Sequence, residues 1–527
     1  MNDVKEFERR DWLTAVVLFV VAVCLYSPFR SRMAYHWDSA EFTVAIHDYN
    51  VALGQPHAPG YFLYVMLGRL VNWFVGDPHA SLVWVSVMAG AGLVATVYLL
   101  GTAMFGRRTG IAAGLFTMSS PLVWFHSCVA LTYVVDGFLV CLTVLMCWRA
   151  MNCDGSLRDA VVIGILIAAV GGVRQQTVPA LVPLIVFTFW NSRNARLAKL
   201  SAACATGVLL GLAWFLPMVE MSGGLAMYMK IVGRHIAHNA PSTALVGGWD
   251  AIAWNLFFIL VFCADGLMLG LVLLAGALIY RVVWCDAPRK KEWTDEHARA
   301  LWMLAIWVIS AMACGIIEFT RQPGYVLSYL PGLLILAAVA AAQLRKSSTF
   351  ITVTAAVCLI NASVFLAWPR DWDGVFFGLG RTAREIREHD TRLRRTVQLI
   401  RSRYLPSETI ICHAQEYLSF GMRHFQLYLP EFDQYQLALD DAVVSPKGNP
   451  IQSVRDGRWQ FVGGIEHGHK RVALLVVPPG SSVDIFKPYF DTSGAQEASD
   501  SGGTVFEMPL DSIRFKSTIA GEINGER

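Results

Sequence analysis

The sequence predicts a polytopic α-helical membrane protein with a soluble α/β domain at its C-terminal end. Three observations carry that prediction. Of 527 residues, 55% are hydrophobic and only 16% charged, against about 25% charged in a soluble domain. Long apolar runs recur along the first two thirds, and the mean hydropathy is +0.46. Beyond residue 368 the chain turns polar and breaks into short β-rich runs.

A membrane-crossing helix needs about 20 predominantly apolar residues. Runs of that kind cover roughly 12–30, 81–104, 109–126, 129–148, 159–173, 177–190, 200–220, 255–280, 300–319, 325–344 and 349–368, which predicts eleven spans. The first follows Arg9, Arg10 and Asp11 and lacks a small-residue cleavage site, so it reads as a span and not a removed signal peptide. Arg149 and Arg158 precede the short pair 159–173 and 177–190, and Arg193, Arg196 and Lys199 follow it. Basic residues mark cytoplasmic ends, so the pair reads as a hairpin with 171–177 at its far tip. The same rule puts 17 Lys and Arg inside and 7 outside. The N-terminus is therefore expected inside and, with an odd span count, the C-terminal domain outside. The expected membrane module is 1–368, including a long first outer loop at 31–80, and the soluble domain is 369–527. The stretch 381–404 carries eight Arg. A twelfth span before it would place it in the cytoplasm, against anionic lipid.

Within the C-terminal region, 408–414, 471–479 and 503–510 read as strands. Ile386, Leu393, Val397 and Ile400 recur at near-helical spacing, so 381–404 predicts an amphipathic connecting helix. A net charge of +3, with basic residues interspersed among apolar runs, gives no footprint for nucleic acid. The eleven Cys are scattered, without C-x-x-C or zinc-like spacing, so no disulfide framework is expected.

On these side assignments the unusual polar residues collect on the outer face. Asp38 and Glu41 stand three apart in "HWDSAEF". On a helix they share a face, about 5–6 Å apart at Cβ. Two carboxylates that close raise each other's pKa, which suits a general base. The same spacing suits a capping box. His57 precedes a Pro59–Gly60 turn in "QPHAPGY", where a lone histidine is as readily structural as catalytic. Arg174 in "GGVRQQT" and Arg321 in "EFTRQPGYVLSY" supply guanidinium groups that grip phosphate bidentately, although an arginine at a membrane boundary also snorkels to headgroups. Lys230, Arg234, His235 and His238 lie in "MYMKIVGRHIAHNAPS" and suit a phosphate or substrate contact better than a metal. Asp136 is an acid near the membrane boundary, a functional candidate by position or a shallow acid reaching water. The run "IEHGHK" (465–470) reads as an exposed turn.

The stretch 36–70 resembles the first extracytoplasmic loop of GT-C fold integral-membrane glycosyltransferases. The resemblance is to the branch of protein O-mannosyltransferases, aminoarabinose transferases and their bacterial relatives. It rests on Asp38, Ser39, Ala40, Glu41 and Phe42; on Leu53 and Gly54; on His57, Ala58, Pro59, Gly60 and Tyr61; and on Leu67, Gly68 and Arg69. Relatives often carry Pro at Ala58 and Pro-Leu at Phe62 and Leu63. The resemblance implies a transferase using a polyprenyl-phosphate sugar. It makes Asp38 the base or acceptor-orienting carboxylate, with Glu41 beside it, and His57 and Tyr61 substrate-binding. Asp136 falls where such enzymes carry a second acid, and Arg321 with Tyr325 is similar to a late Arg-x-x-x-Tyr region that approaches the lipid carrier.

The chemistry of the residues fits that expectation. An acceptor hydroxyl needs a proton acceptor. A phosphate leaving group needs positive charge and no general acid. One carboxylate base attacking in line predicts inversion at the anomeric carbon. No cofactor is required by these residues, and a divalent metal has no sequence support. The expected partners are a polyprenyl-phosphate-linked sugar, a hydroxyl acceptor on protein, glycan or lipid, and membrane lipids. The expected place is a bacterial plasma membrane with the site on its extracytoplasmic side. The alternatives are a lipid-linked glycan transporter or flippase, which would more often show internal symmetry and broken mid-membrane helices, and a non-catalytic lipid-sugar-binding protein.

Overall fold

The structure is a computed structural model. It describes residues 7–152, 156–192, 194–284, 295–318, 322–367, 382–414, 420–437, 451–455, 458–462, 465 and 468–514. The chain divides into two compact units. One combines Met1–Arg30 with Ala58–Ile386, and the other combines Ser31–His57 with Arg387–Arg527.

The first unit is helical, and the protein is an integral membrane protein. Seven helices among the described residues are long and apolar enough to cross a membrane: Arg9–Phe29, Pro78–Phe105, Tyr133–Asn152, Arg196–Met221, Ala244–Leu267, Asp295–Ile317 and Ser347–Ala367. Pro78–Phe105 is the central one. It packs against Arg9–Tyr26, Phe62–Val75, Arg107–Ser119 and Tyr133–Asn152, and most of its side chains are buried. Arg196–Met221 instead exposes Leu209, Leu210, Leu212 and Leu216, an apolar surface that suits lipid and not water. At the start of the chain, Arg107 Nε lies 2.7 Å from Asp11 Oδ1 and Tyr98 donates to the same oxygen. This ties the first helix to the turn after the central one.

Each of the eleven expected apolar runs falls on a helix or a broken pair of helices. Run 109–126 is broken into Arg107–Ser119 and Pro121–Ser127. Pro121 has no N–H to continue the ladder, and it pushes Ser120 out of the helical region to ψ 122°. Run 255–280 breaks at Met268, whose φ is 46°. The first outer loop, expected within the membrane module over 31–80, is divided. Residues 31–57 fold with the C-terminal unit, and Phe62–Val75 forms an apolar helix of the membrane unit.

The second unit is built on a seven-stranded mixed sheet of order β4-β3-β2-β1-β5-β7-β6. The strands are β1 (Thr409–His413), β2 (Asp433–Leu437), β3 (Ile451–Arg455), β4 (Arg458–Val462), β5 (Val472–Val476), β6 (Gln496–Glu497) and β7 (Val505–Pro509). The expected strands are β1, β5 and β7. β1 runs parallel to β2 and β5, and the outer pairs are antiparallel. Side chains alternate across the central strands. Ile410, Cys412, Ala473 and Leu475 fill a core on one face, with Phe486 and Phe490. Ile411, Leu474 and Val476 face the expected amphipathic helix, Ala383–Arg403, which buries Leu393, Val397 and Ile400 against them.

Residues 31–57 are fastened to this unit at several points. Met33 joins the core of the amphipathic helix. Asp390 accepts hydrogen bonds from the backbone N–H groups of Arg32 (2.7 Å) and Met33 (2.9 Å). The Ala34 N–H donates to the Tyr428 hydroxyl at 2.7 Å. Trp37 packs with Met422 and Val454. All nine described cysteines are free.

Burial pushes His413 down to about 3 and His424 well below its usual range, so the folded unit holds both neutral. The unfolded chain takes up protons near pH 6.5. Stability from these groups is therefore complete above about pH 6.5 and falls as pH drops toward 3. Pulse proteolysis of the full chain at pH 7.5 and pH 5 is expected to show a less stable second unit at pH 5. His413→Gln should flatten part of that slope; an unchanged slope would contradict the buried neutral state.

Candidate active site

The helix Trp37–Ala45 carries both carboxylates of the first loop. Its N-cap is His36, whose Nδ1 accepts from the Asp38 N–H at 3.2 Å. The capping-box reading of Asp38 and Glu41 is thereby excluded, because neither carboxylate caps the helix. Glu41 is 3% exposed. Its Oε1 accepts from Trp37 Nε1 at 2.8 Å and lies 3.3 Å from Arg423 Nε. Its Oε2 accepts from the His57 N–H at 3.1 Å and lies 2.6 Å from His57 Nδ1. One proton is shared across this short contact between the carboxylate and the imidazole ring.

Asp38 is placed differently. Its side chain is 21% exposed, with Oδ1 3.7 Å from His57 Nδ1 and Oδ2 3.6 Å from His36 Nδ1. The structure thus brings together three sequence-predicted residues, Asp38, Glu41 and His57. Their potential ligand atoms all lie within 4.8 Å of one another, the one such His/Cys/Asp/Glu group among the described residues. Glu41 already has both oxygens engaged, and His57 turns its Nδ1 into that network. A divalent ion would have to displace those bonds.

A second polar cluster lies within the membrane unit. Arg174 ends the helix Leu157–Val173 and is 3% exposed. Its guanidinium carbon is 4.4 Å from the Tyr133 ring centre, 4.6 Å from Tyr325 and 6.0 Å from Tyr61, and Nη1 donates to Thr132 Oγ1 at 3.1 Å. Asp136 accepts from Thr177 Oγ1 at 3.0 Å. Arg174 Nη2, Asp136 Oδ1 and Gln176 Oε1 are buried and have no hydrogen-bond partner among the described residues. Tyr325 lies in the turn Pro323–Ser328, which approaches Tyr133 so closely that a Cβ at Gly324 would collide with its ring. Tyr61 adopts a left-handed φ of 46°, a conformation that costs energy for a side chain of this size and marks a constrained site. The carbonyl of Pro59 accepts from Tyr228 (3.1 Å) and Gln175 (3.4 Å). The two Gln after Arg174 suggest a polar lining in the sequence, whereas no spacing signals Tyr228.

Lys230, Arg234 and His235 lie exposed on one helix, Leu225–Asn239, where Asn239 hydrogen-bonds the His235 ring at 3.2 Å and its carbonyl at 3.0 Å. Arg321 lies outside the described residues.

The solved structure of ArnT from Cupriavidus metallidurans bound to undecaprenyl phosphate matches this chain with a TM-score of 0.56. The match covers 98% of this chain and 100% of that one at 14% identity. The apo state of the same protein matches at 0.55, over 97% and 98%, again at 14% identity. This chain has the GT-C glycosyltransferase fold. A family model described as dolichyl-phosphate-mannose-protein mannosyltransferase matches residues 57–220. That portion of the GT-C fold includes His57, Tyr61, Asp136 and Arg174, and begins after Asp38 and Glu41. Among curated proteins, none matches the chain in sequence.

The two carboxylates should separate on mutation. Asp38→Asn, at a part-exposed position, is expected to leave the thermal midpoint within about 1 °C of wild type. Glu41→Ala strips a buried ion pair of one partner, which costs about 3 kcal/mol, or roughly 6–12 °C in a unit of this size. Differential scanning fluorimetry of the purified full chain reads both, and equal shifts would contradict the assignment of burial to Glu41 alone.

Proposed function

We propose that this protein is an inverting glycosyltransferase that moves a sugar from a polyprenyl-phosphate carrier to an acceptor hydroxyl, with Asp38 as base. The observation that carries the reading is the asymmetry of the carboxylates. Asp38 is accessible while its neighbour is buried and fully engaged, as a base and its support would be. In the proposed step the acceptor O–H gives its proton to the Asp38 carboxylate. The acceptor oxygen bonds to the anomeric carbon, and the bond from that carbon to the phosphate oxygen breaks with its electron pair. The carrier monophosphate leaves, and the configuration inverts. Glu41 holds His57 in one tautomer beside Asp38. The GT-C fold and the mannosyltransferase family match support transfer chemistry over transport.

The carrier phosphate is assigned to Arg174. Its buried Nη2 has no partner among the described residues, and a phosphate oxygen supplies one. Tyr61, Tyr133 and Tyr325 fix the plane of the guanidinium, and Asp136 balances its charge. Lys230, Arg234 and His235, exposed on a helix with apolar Leu225, Met229 and Ile236, suit anionic headgroups at the membrane surface. We place the reaction at the extracytoplasmic face of a bacterial inner membrane. The reaction so written uses no metal.

Transfer from undecaprenyl- and dolichyl-phosphate mannose, and from other carrier sugars, to peptide, glycan and lipid hydroxyls tests the reading. Asp38→Asn is expected to lower kcat by about 100- to 10,000-fold, and the product anomer should be opposite to the donor's. Full activity in Asp38→Asn ends the base assignment, and movement of the carrier sugar across vesicles without a covalent product would favour transport. Arg174→Lys keeps the charge but loses the fork, so the donor KM should rise by about 10- to 100-fold. EDTA should leave the rate unchanged; a loss restored by Zn²⁺ or Mn²⁺ would reassign Asp38, Glu41 and His57 as ligands.

A further inference from the structure

We infer that Arg423, contributed by the C-terminal unit, is a positioning residue for the transfer reaction, acting on Asp38 through Glu41 and His57. The inference rests on the reading of Asp38 as base. Arg423 lies in the short helix Met422–Tyr428, 382 positions after Glu41 in sequence. Its side chain is 5% exposed. Nε lies 3.3 Å from Glu41 Oε1. Nη2 donates to the Leu53 carbonyl at 3.1 Å, and Nη1 donates to Gln426 Oε1 at 2.8 Å. The guanidinium carbon lies 5.8 Å from the Trp37 ring centre. One arginine therefore touches both ends of the segment that carries the carboxylates.

The turn at Leu53–Gly54 is shaped to admit it. Gly54 has a left-handed φ of 65°, and a Cβ there would collide with the Arg423 guanidinium. A methyl at this position is thus opposed twice, by the backbone and by the arginine. The "Leu-Gly" of the first loop has a physical reason in a residue of the other end of the chain.

The consequence is positional. Glu41 is faced by Arg423, Trp37 and His57, and Asp38 by His36, His57 and Glu41. Arg423 and Trp37 hold Glu41 Oε1, which leaves Oε2 to the His57 N–H and ring. Without Arg423 the Glu41 carboxylate loses one of its anchors, and His57 loses its fixed place beside Asp38.

The test is steady-state transfer from a polyprenyl-phosphate sugar, using full-length wild type, Arg423→Met, Arg423→Lys and Asp38→Asn, with the folded fraction of each measured so that kcat is expressed per folded enzyme. Arg423→Met is expected to lower kcat by about 100-fold with little change in donor KM. Arg423→Lys should restore most of kcat. A merely structural arginine would lower the amount of folded enzyme and leave kcat per folded enzyme in place, and that result in Arg423→Met overturns the inference. If Arg423→Met does not fold, wild-type kcat in Arg423→Gln overturns it. Full activity in Asp38→Asn would instead defeat the underlying base reading, whatever the arginine variants do.

Discussion

A carboxylate with 3% exposure cannot stand ionised on its own, and Glu41 is such a group. Removing an isolated charge from water costs several kcal/mol even after relaxation. The second unit meets that cost with a guanidinium, an indole N–H, a backbone N–H and an imidazole N–H, all converging on two oxygens. The donors come from three residues, since His57 supplies both the backbone and the ring group and Trp37 lies one turn before Glu41 on the same helix. Arg423 is set by the C-terminal helix, Trp37 by its packing on Met422 and Val454, and His57 by the turn that leads into the membrane unit. The buried Glu41 carboxylate is one of several fastenings of residues 31–57, beside the bonds of Arg32, Met33 and Ala34 to Asp390 and Tyr428. Together they account for that segment's folding with Arg387–Arg527.

Within the membrane unit the same physics works with the sign reversed. Arg174 is a buried cation, and it is stabilised by aromatic faces as well as by acids. Tyr133 and Tyr325 lie within 4.6 Å of its guanidinium carbon, a geometry that gains from both quadrupole attraction and stacking. The close approach at Gly324 makes that geometry possible, because it brings the Tyr325 turn onto Tyr133. Polar atoms are left over on Arg174, Asp136 and Gln176. Buried polar groups are nearly always satisfied, and among the described residues these three have no hydrogen-bond partner.

Much of the architecture was legible in the sequence because apolar periodicity is a strong signal. The eleven apolar runs all became helices or broken pairs, and 408–414, 471–479 and 503–510 became strands of the sheet. Leu393, Val397 and Ile400 gave the amphipathic helix its buried face. Two things were not legible. Phe62–Val75 begins directly after a turn rich in Pro and Gly, and at 14 residues it is too short to stand out as a span. The partners Arg423 and Tyr228 are set by tertiary contact over 370 and 169 residues. No local pattern marks a cation whose counter-ion is that far away.

The "DSAE" pair illustrates the limit best. Spacing alone allowed a helix cap or a catalytic pair of carboxylates, and the structure excludes the cap. His36 takes the cap, which leaves both carboxylates for other work. Helical geometry then sends residues three apart to adjoining but different directions, so a single turn of helix presents Glu41 to the protein interior and Asp38 to a surface. Burial converts two identical functional groups into different ones: the inner is fixed by donors and serves as a support, and the outer keeps an approach from solvent. On the proposed reading of Asp38 as base, Glu41 is the means by which the neighbouring histidine is held in place. Replacing it by a neutral group would loosen His57 before it altered Asp38 directly.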